Sequence, residues 1–292
     1  MSYHTDDRPF WVRFSSEPTP LPSHLPRLVL ADRFQPRYVR NCPVTQRIIG
    51  QLRLLEWDQL PATLVDRKQG ERLVPLAAYI GAYLVRLDYQ LPTFGALCRF
   101  LADHPGLLWA LGFPATGYGG KHKPFNPEQS LPRQGHFTKK LSLLPNDLLQ
   151  ELLAGQVAWL REQLGSEFGE VISFDTKHIL AWVKENNPKT FMKEGRFDKT
   201  QQPTGDQDCK LGCKRRRNQT TPTKEGQPIS EKVSVGEYYW GYASGVAATK
   251  VPNVGEFVLA ELTQTFDYGD ATYFLPLMAQ VEQHLGVRPR FG

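Results

Sequence analysis

The sequence predicts an α/β protein of the mixed α+β kind: an N-terminal all-helical unit, then a mixed sheet with flanking helices and a polar insertion. Three observations carry this. Between Gln46 and Phe113 apolar residues recur at three- and four-residue spacing in "TQRIIGQLRLLEW", "PLAAYIGAYLVRLDY" and "TFGALCRFLADHPGLLWALGF", the period of helices with one buried face. A second helical pattern from Asn146 to Leu164 aligns Leu148, Leu149, Leu152, Leu153, Val157, Leu160 and Leu164, with Pro145 opening it and Gly165 ending it. Beyond Glu170 the pattern changes to strand-like runs rich in β-branched and aromatic residues.

Residues 1–45, with "EPTPLPSHLPR", read as an extended arm. Residues 46–143 form the helical unit with its basic linker, and Leu97, Phe100, Leu101, Leu107, Leu108 and Leu111 are its expected core. "PATGYGGKHKPFNPEQSLPRQGHFTKK" reads as a linker or surface loop with a basic end. It is no phosphate-binding loop, because the Gly-x4-Gly-Lys-Ser/Thr spacing is absent and His122 stands where the hydroxyl belongs. Residues 144–292 form the second domain. "EVISF" is a strand ending at Asp175, and residues 186–235, too polar to pack, are an insertion. "EYYWGYASGVAATK" alternates bulky Tyr238, Trp240 and Tyr242 with a mostly small set that includes Gly241, Ala243, Gly245 and Ala247, so one face is packed closely. "EFVLAELTQTF" follows through a hairpin at "VPNVG". A helix comes next, with Phe274, Leu277, Met278, Val281 and Leu285 at helical spacing, Thr272 placed to cap and Gly286 closing. "VRPRFG" begins a further strand.

With 292 residues, 40% of them hydrophobic, the chain can bury a core, as one large or two modest domains. No secretory signal is visible and no apolar run approaches the roughly 18 residues of a membrane span, so a soluble cytoplasmic protein without a membrane partner is expected. Four scattered cysteines make no disulfide framework. Cys209 and Cys213 read as two reduced thiols in a loop, with a zinc site, and hence a zinc-dependent regulator, as the lesser reading. The net charge of +5 is local: from Lys184 to Lys250 there are 13 Lys and Arg against 8 Asp and Glu, a difference equal to the whole excess. Clustered cations, here with "KRRR" at 214–217, are the electrostatic footprint of a polyanion partner or else a solvated loop. No Ser-His-Asp arrangement, nucleophile elbow or dinucleotide fingerprint occurs.

The order strand, insertion, strand, strand, helix, strand is the ribonuclease H-like topology. Together with "LCRFLADHPGLLWALGF", "RQGHFTKKL", "ISFDTKH", "DQDCKLGCKRRRN" and "YYWGYASGVAATK", which cover most of residues 90–292, it resembles the DDE transposases of bacterial insertion sequences. The resemblance implies a helical DNA-binding or dimerisation region ahead of a ribonuclease H-like catalytic domain. Its acids, Asp, Asp and Glu, hold two divalent ions, Mg2+ or Mn2+. Asp175 matches the first of these acids, as catalytic residue and metal ligand. The other two lie beyond Gly292 by the family's pattern, so a truncated, catalytically incomplete chain is expected; one carboxylate cannot hold two ions about 3.5–4 Å apart. Asp267 and Asp270 read as a turn and helix-start pair and Glu282 as an exposed helix residue, with a substitute acid among them as the lesser reading. His178 flanks the site and is not counted as a ligand.

The implied partner is double-stranded DNA, element ends and target, in a nucleoid-associated protein, and a homodimer is compatible with it. Lys177, Arg133, Lys139, Lys140, Lys214, Arg215, Arg216 and Arg217 are the expected phosphate contacts, which position DNA without reading sequence. Trp182, Tyr238, Tyr239 and Trp240 are read first as core residues and second as stacking platforms for a base. The function implied is metal-dependent strand cleavage and transfer, with a non-catalytic DNA-binding remnant or regulator of transposition as the alternative.

Overall fold

A computed structural model describes residues 35–57, 60, 74–117, 124–187, 197–214, 218–220, 231–233 and 237–290. The chain divides into two compact units, 1–156 and 157–292. The division falls inside one helix rather than at the 143/144 boundary expected from the change in composition.

The first unit is helical. Helix α1 (Arg37–Arg40) lies within the 1–45 stretch expected to be an extended arm and α2 (Pro43–Leu52) begins in it, while residues 1–34 of that stretch lie outside the described residues. Pro43 occupies the first turn of α2, where its missing N–H costs nothing. Helix α3 (Leu76–Asp88) is buried along most of its first two turns. The "TFGALCRFLADHPGLLWALGF" segment makes two helices, α4 (Phe94–Asp103) and α5 (Pro105–Leu111). Thr93 caps α4 by accepting the Ala96 N–H at 3.1 Å. Pro105 keeps His104 out of helical geometry and so separates the two. Gly112, at φ 96°, closes α5 in the left-handed region open to glycine.

Leu97, Leu101, Leu107, Leu108 and Leu111 are fully buried, as expected, and Phe100 is partly buried against the same cluster. Over its described residues, 114–117 and 124–141, the expected linker is instead structured. It contains α6 (Pro127–Ser130) and α7 (Gln134–Ser142). Phe137 of α7 is wholly buried, with its ring 5.3 Å from that of Tyr79 and 6.0 Å from those of Phe94 and Phe113. One aromatic anchor per two turns thus holds a helix that the surrounding Gly, Gln and Lys disguise.

Helix α8 (Asn146–Leu164) has the predicted bounds. Leu152 and Val157 of its stripe are buried, Leu149 is exposed, and Gly165 at φ 87° ends it.

The second unit is an antiparallel sheet with a helix. Strand β1 (Ile172–Leu180) is followed by β2 (Lys210–Lys214), a separate ladder of β3 (Asn218–Thr220) with β4 (Glu231–Val233), then β5 (Glu237–Val251) and β6 (Gly255–Thr265). The 15-residue β5 is the axis. β1 runs along one side of it, from Ile172 opposite Thr249 to Leu180 opposite Gly241. β6 and then β2 share the other side, β6 with a bulge at Ala247/Ala248. All these pairings are antiparallel, so among the described strands the sheet is not mixed.

The insertion reading is corrected in part. Residues 210–214 join the sheet, and Cys209 and Leu211 are buried with Ala181, Val183 and Trp240. The strand expected from Val287 is not formed over Val287–Arg290.

The close packing read from β5 is present. A short 3-10 turn (Asp270–Tyr273) leads into α9 (Phe274–Leu285), which buries Leu277, Val281 and Leu285. A methyl group at Gly245 would stand 2.3 Å from the Tyr273 ring, so only glycine admits the turn there. Thr272 does not cap α9; its hydroxyl donates to the Gly269 carbonyl at 2.7 Å inside the turn. Gly286, at φ 68°, closes α9. Beyond it the Arg290 N–H donates to the Glu170 carbonyl at 2.9 Å, and the two side chains pair at 3.5 Å, so the chain returns beside the start of β1. Among the described residues, no helix is long and apolar enough to cross a membrane.

Candidate active site

Alternation places the side chains of β1. Ile172, Phe174, Thr176 and His178 are buried or partly buried, while Ser173, Asp175, Lys177 and Ile179 are exposed, as a strand packed on one face requires. Asp175 is therefore the fourth residue of a nine-residue strand and not its terminus, a correction to the strand ending predicted from the apolar run. Its Oδ1 accepts the backbone N–H of Thr176 at 2.8 Å. Thr176 turns its hydroxyl the other way and donates to Asp270 Oδ1 at 2.9 Å.

Asp175 and Asp270, 95 residues apart in sequence, thus line one cleft of about 220 Å³, together with Phe174, Thr176, Tyr273, Phe274 and Leu277. The apolar floor is fixed by Phe174 and Phe274, edge to face at 5.0 Å.

The turn carrying Asp270 is anchored from below. The buried Tyr273 hydroxyl donates to the Ala243 carbonyl at 2.9 Å. Burial, and after it the negative charge of Asp270, raises the Tyr273 pKa, so the phenol stays a donor. Asp270 does belong to a turn at a helix start, as its sequence context indicates, and the tertiary fold adds the cleft. Asp267 accepts the Thr265 hydroxyl at 2.6 Å, and Glu282 pairs with Arg288 at 3.3 Å; neither lines the cleft.

Glu261 was not singled out by sequence reasoning. The register places it in line with Val246 and Asp175 across three strands, and its Oε1 accepts the hydroxyls of Ser244 at 2.6 Å and Thr263 at 2.5 Å. Only the strand alternation could have pointed to it.

Asp175 and Asp270 thus meet the cleft from opposite faces of β1. Mg2+ keeps several waters and takes one or two protein carboxylates plus phosphate oxygens. Among the described residues no group of three or more His, Cys, Asp or Glu side chains could hold a metal ion. His178 packs its ring 4.3 Å from that of Phe266, on the face opposite Asp175, which agrees with leaving it out of the ligand set. Cys209 is buried, with its thiol donating to the Asp206 carbonyl at 3.2 Å, while Cys213 is exposed.

The expected phosphate contacts fall in both units. Lys177 shares the exposed face of β1 with Asp175, two residues along. Arg133 is the residue preceding α7, Lys139 and Lys140 lie in its last turn, and Arg133 and Lys139 are exposed. Lys214 is the last residue of β2, and Arg215, Arg216 and Arg217 lie outside the described residues. Of the aromatics, Tyr239 and Trp240 are buried, whereas Tyr238 is 42% exposed and Trp182 wholly exposed. The core reading is therefore corrected for Tyr238 and for Trp182, the latter following β1 where the packed face has ended.

No protein-family model matches the chain, and no curated protein or solved structure matches it.

Proposed function

We propose that the chain is a DDE-type transposase of an insertion sequence, with a ribonuclease H-like catalytic domain that cleaves and joins DNA strands at element ends. The observation that carries the reading is Asp175, central on the exposed face of β1 and joined at one cleft by Asp270. Two further features support it. A long β5 lies between β1 and β6, and α9 follows and packs back on the sheet. The backbone bond from Arg290 to Glu170 then returns the chain beside the start of β1, where that topology sets its next strand.

In this reading Asp175 holds a Mg2+ or Mn2+ ion through its carboxylate oxygens, and Asp270, held by the Thr176 hydroxyl from the opposite face of β1, borders the same cleft. The ion, when bound, supplies Lewis-acid activation of water or a 3′-hydroxyl and charge stabilisation at the scissile phosphate. Lys177 sits on the same strand face and contacts the flanking DNA backbone. Arg133, Lys139, Lys140 and the 214–217 run make further phosphate contacts in their own units.

The test is Mg2+-dependent cleavage of end-labelled DNA carrying the element's own termini. Wild-type cleavage lost in Asp175→Asn, and lowered at least tenfold in Asp270→Asn with a higher Mg2+ requirement, is the expected result. Cleavage indifferent to Asp175 sinks the catalytic assignment. A second reading, a DNA-binding protein that does not cut, is favoured by the presence of only two carboxylates at the cleft among the described residues; tight binding of termini without cleavage is its signature.

A further inference from the structure

A second cavity, in the helical unit, is unused by the proposed chemistry. It measures about 400 Å³ and is lined by Val74, Tyr79, Pro114, Gln129, Ser130, Leu131, Pro132, Arg133 and His136, a volume within the range of small-molecule sites. Tyr79, only 4% exposed, is held by edge-to-face contacts with Phe113 and Phe137 at 6.2 and 5.3 Å. Leu131, Val74, Pro114 and Pro132 give the cavity apolar lining.

The Ser130 hydroxyl, which could have made the wall polar, is already spent. It donates to the Asn126 carbonyl at 2.7 Å and accepts the Thr116 N–H at 3.1 Å. The cavity lining also includes Arg133, the residue before α7, and His136 in the first turn of α7, both exposed. Among the described residues neither is paired with a carboxylate in a salt bridge.

A cavity with apolar side chains on part of its lining and a guanidinium and an imidazole on another part suits a group with an apolar ring and an anionic oxygen cluster. We propose that this cleft binds one nucleotide of a single DNA strand, its base between the apolar walls and its phosphate on Arg133 and His136. Arginine suits phosphate because its fork of donors engages two oxygens at once. The slot reads no sequence by itself, since every base has an apolar face. The inference rests on reading the chain as a DNA-binding protein and is independent of catalysis at Asp175.

The test uses the full chain, with dAMP, deoxyadenosine and inorganic phosphate titrated separately and amide chemical shifts followed at Gln129, Leu131 and His136. dAMP should shift these amides and bind at least tenfold tighter than deoxyadenosine or phosphate alone. Arg133→Ala should weaken dAMP binding about tenfold or more, the usual worth of a hydrogen bond to a charged group, and His136→Ala should weaken it severalfold. Arg99→Ala, which removes an exposed charge from α4 away from the cleft, should leave it unchanged. A short single-stranded oligonucleotide should displace dAMP.

Phosphate binding as tightly as dAMP, an equal loss in Arg99→Ala, or failure of the oligonucleotide to compete would each overturn the assignment. So would an absence of shifts at millimolar dAMP. Asp175→Asn should bind dAMP like wild type, so loss of cleavage and loss of nucleotide binding fail separately.

Discussion

Gly245 ties the packing of the sheet to the cleft, and Gly245→Ala tests that link. The residue lies on β5 directly opposite Thr176, and a Cβ there would stand 2.3 Å from Tyr273 Cδ1 and 3.1 Å from Leu277 Cδ1. Carbon atoms do not approach to 2.3 Å, so Tyr273 must move. Overpacking of this kind costs about 1–3 kcal/mol, and moving Tyr273 endangers its bond to the Ala243 carbonyl, worth about 1 kcal/mol. Against this, alanine loses less backbone entropy than glycine in a strand, a gain of roughly 0.5–1 kcal/mol. The expected balance is a destabilisation of about 2 kcal/mol, which accelerates exchange of the most protected β5 amides about thirtyfold. In a Tyr273→Ala background most of that cost should vanish, because the ring that the new methyl group strikes is gone. Since Tyr273 anchors the turn that carries Asp270, the single substitution should also raise the Mg2+ requirement of cleavage. A change below threefold in exchange, or the same factor in both backgrounds, refutes the close-approach argument.

Phe137→Ala should cost the helical unit about 3–5 kcal/mol, the range for a buried phenylalanine, read as a loss in urea midpoint; a cost under 1 kcal/mol would return α7 to the status of a surface loop. The two cysteines of the former insertion should react very differently. Burial, then the charges of Asp206 and Glu185, push the Cys209 thiol from 9.0 up to about 11, while Cys213 is exposed. At pH 8, iodoacetamide followed by peptide mapping should label Cys213 at least tenfold faster. Because the folded state holds the Cys209 proton more tightly than the unfolded one, its contribution to stability is complete below pH 9 and is lost as pH rises from 9 towards 11; Cys209→Ala should flatten the alkaline limb of the sheet unit's stability curve.

What was legible in the sequence is what repeats. The leucines of α4 and α5, the stripe of α8 and the alternation of β5 each present several residues at one period, so no single deviation hides the element. α7 and β2 escaped because each is short and rests on one or two buried side chains, Phe137 in the first and Leu211 beside Cys209 in the second. Polar neighbours outvoted them. The strand β1 was read as stopping at Asp175 because its apolar run stops there, yet the ladder to β5 continues through Leu180. Thr176 and His178 carry the inward face on, the first through its hydrogen bond to Asp270 and the second by packing its ring against Phe266.

The same reasoning explains why half of the cleft was visible and half was not. Asp175 breaks an apolar run, and a carboxylate in a strand is a local anomaly that a linear reading detects. Asp270 sits at a helix start after a glycine, where aspartate is ordinary, and nothing near it in sequence marks it. Its place at the cleft follows only from the Tyr273 hydroxyl fastened to Ala243 and the absence of a side chain at Gly245, features spread over β5 and the 3-10 turn. A carboxylate that the fold brings to a site through two anchoring contacts should depend on both of them. Thr176→Val, which removes the hydroxyl bond to Asp270, and Gly245→Ala, which displaces the Tyr273 anchor, should therefore impair cleavage in the same way, by raising the Mg2+ requirement.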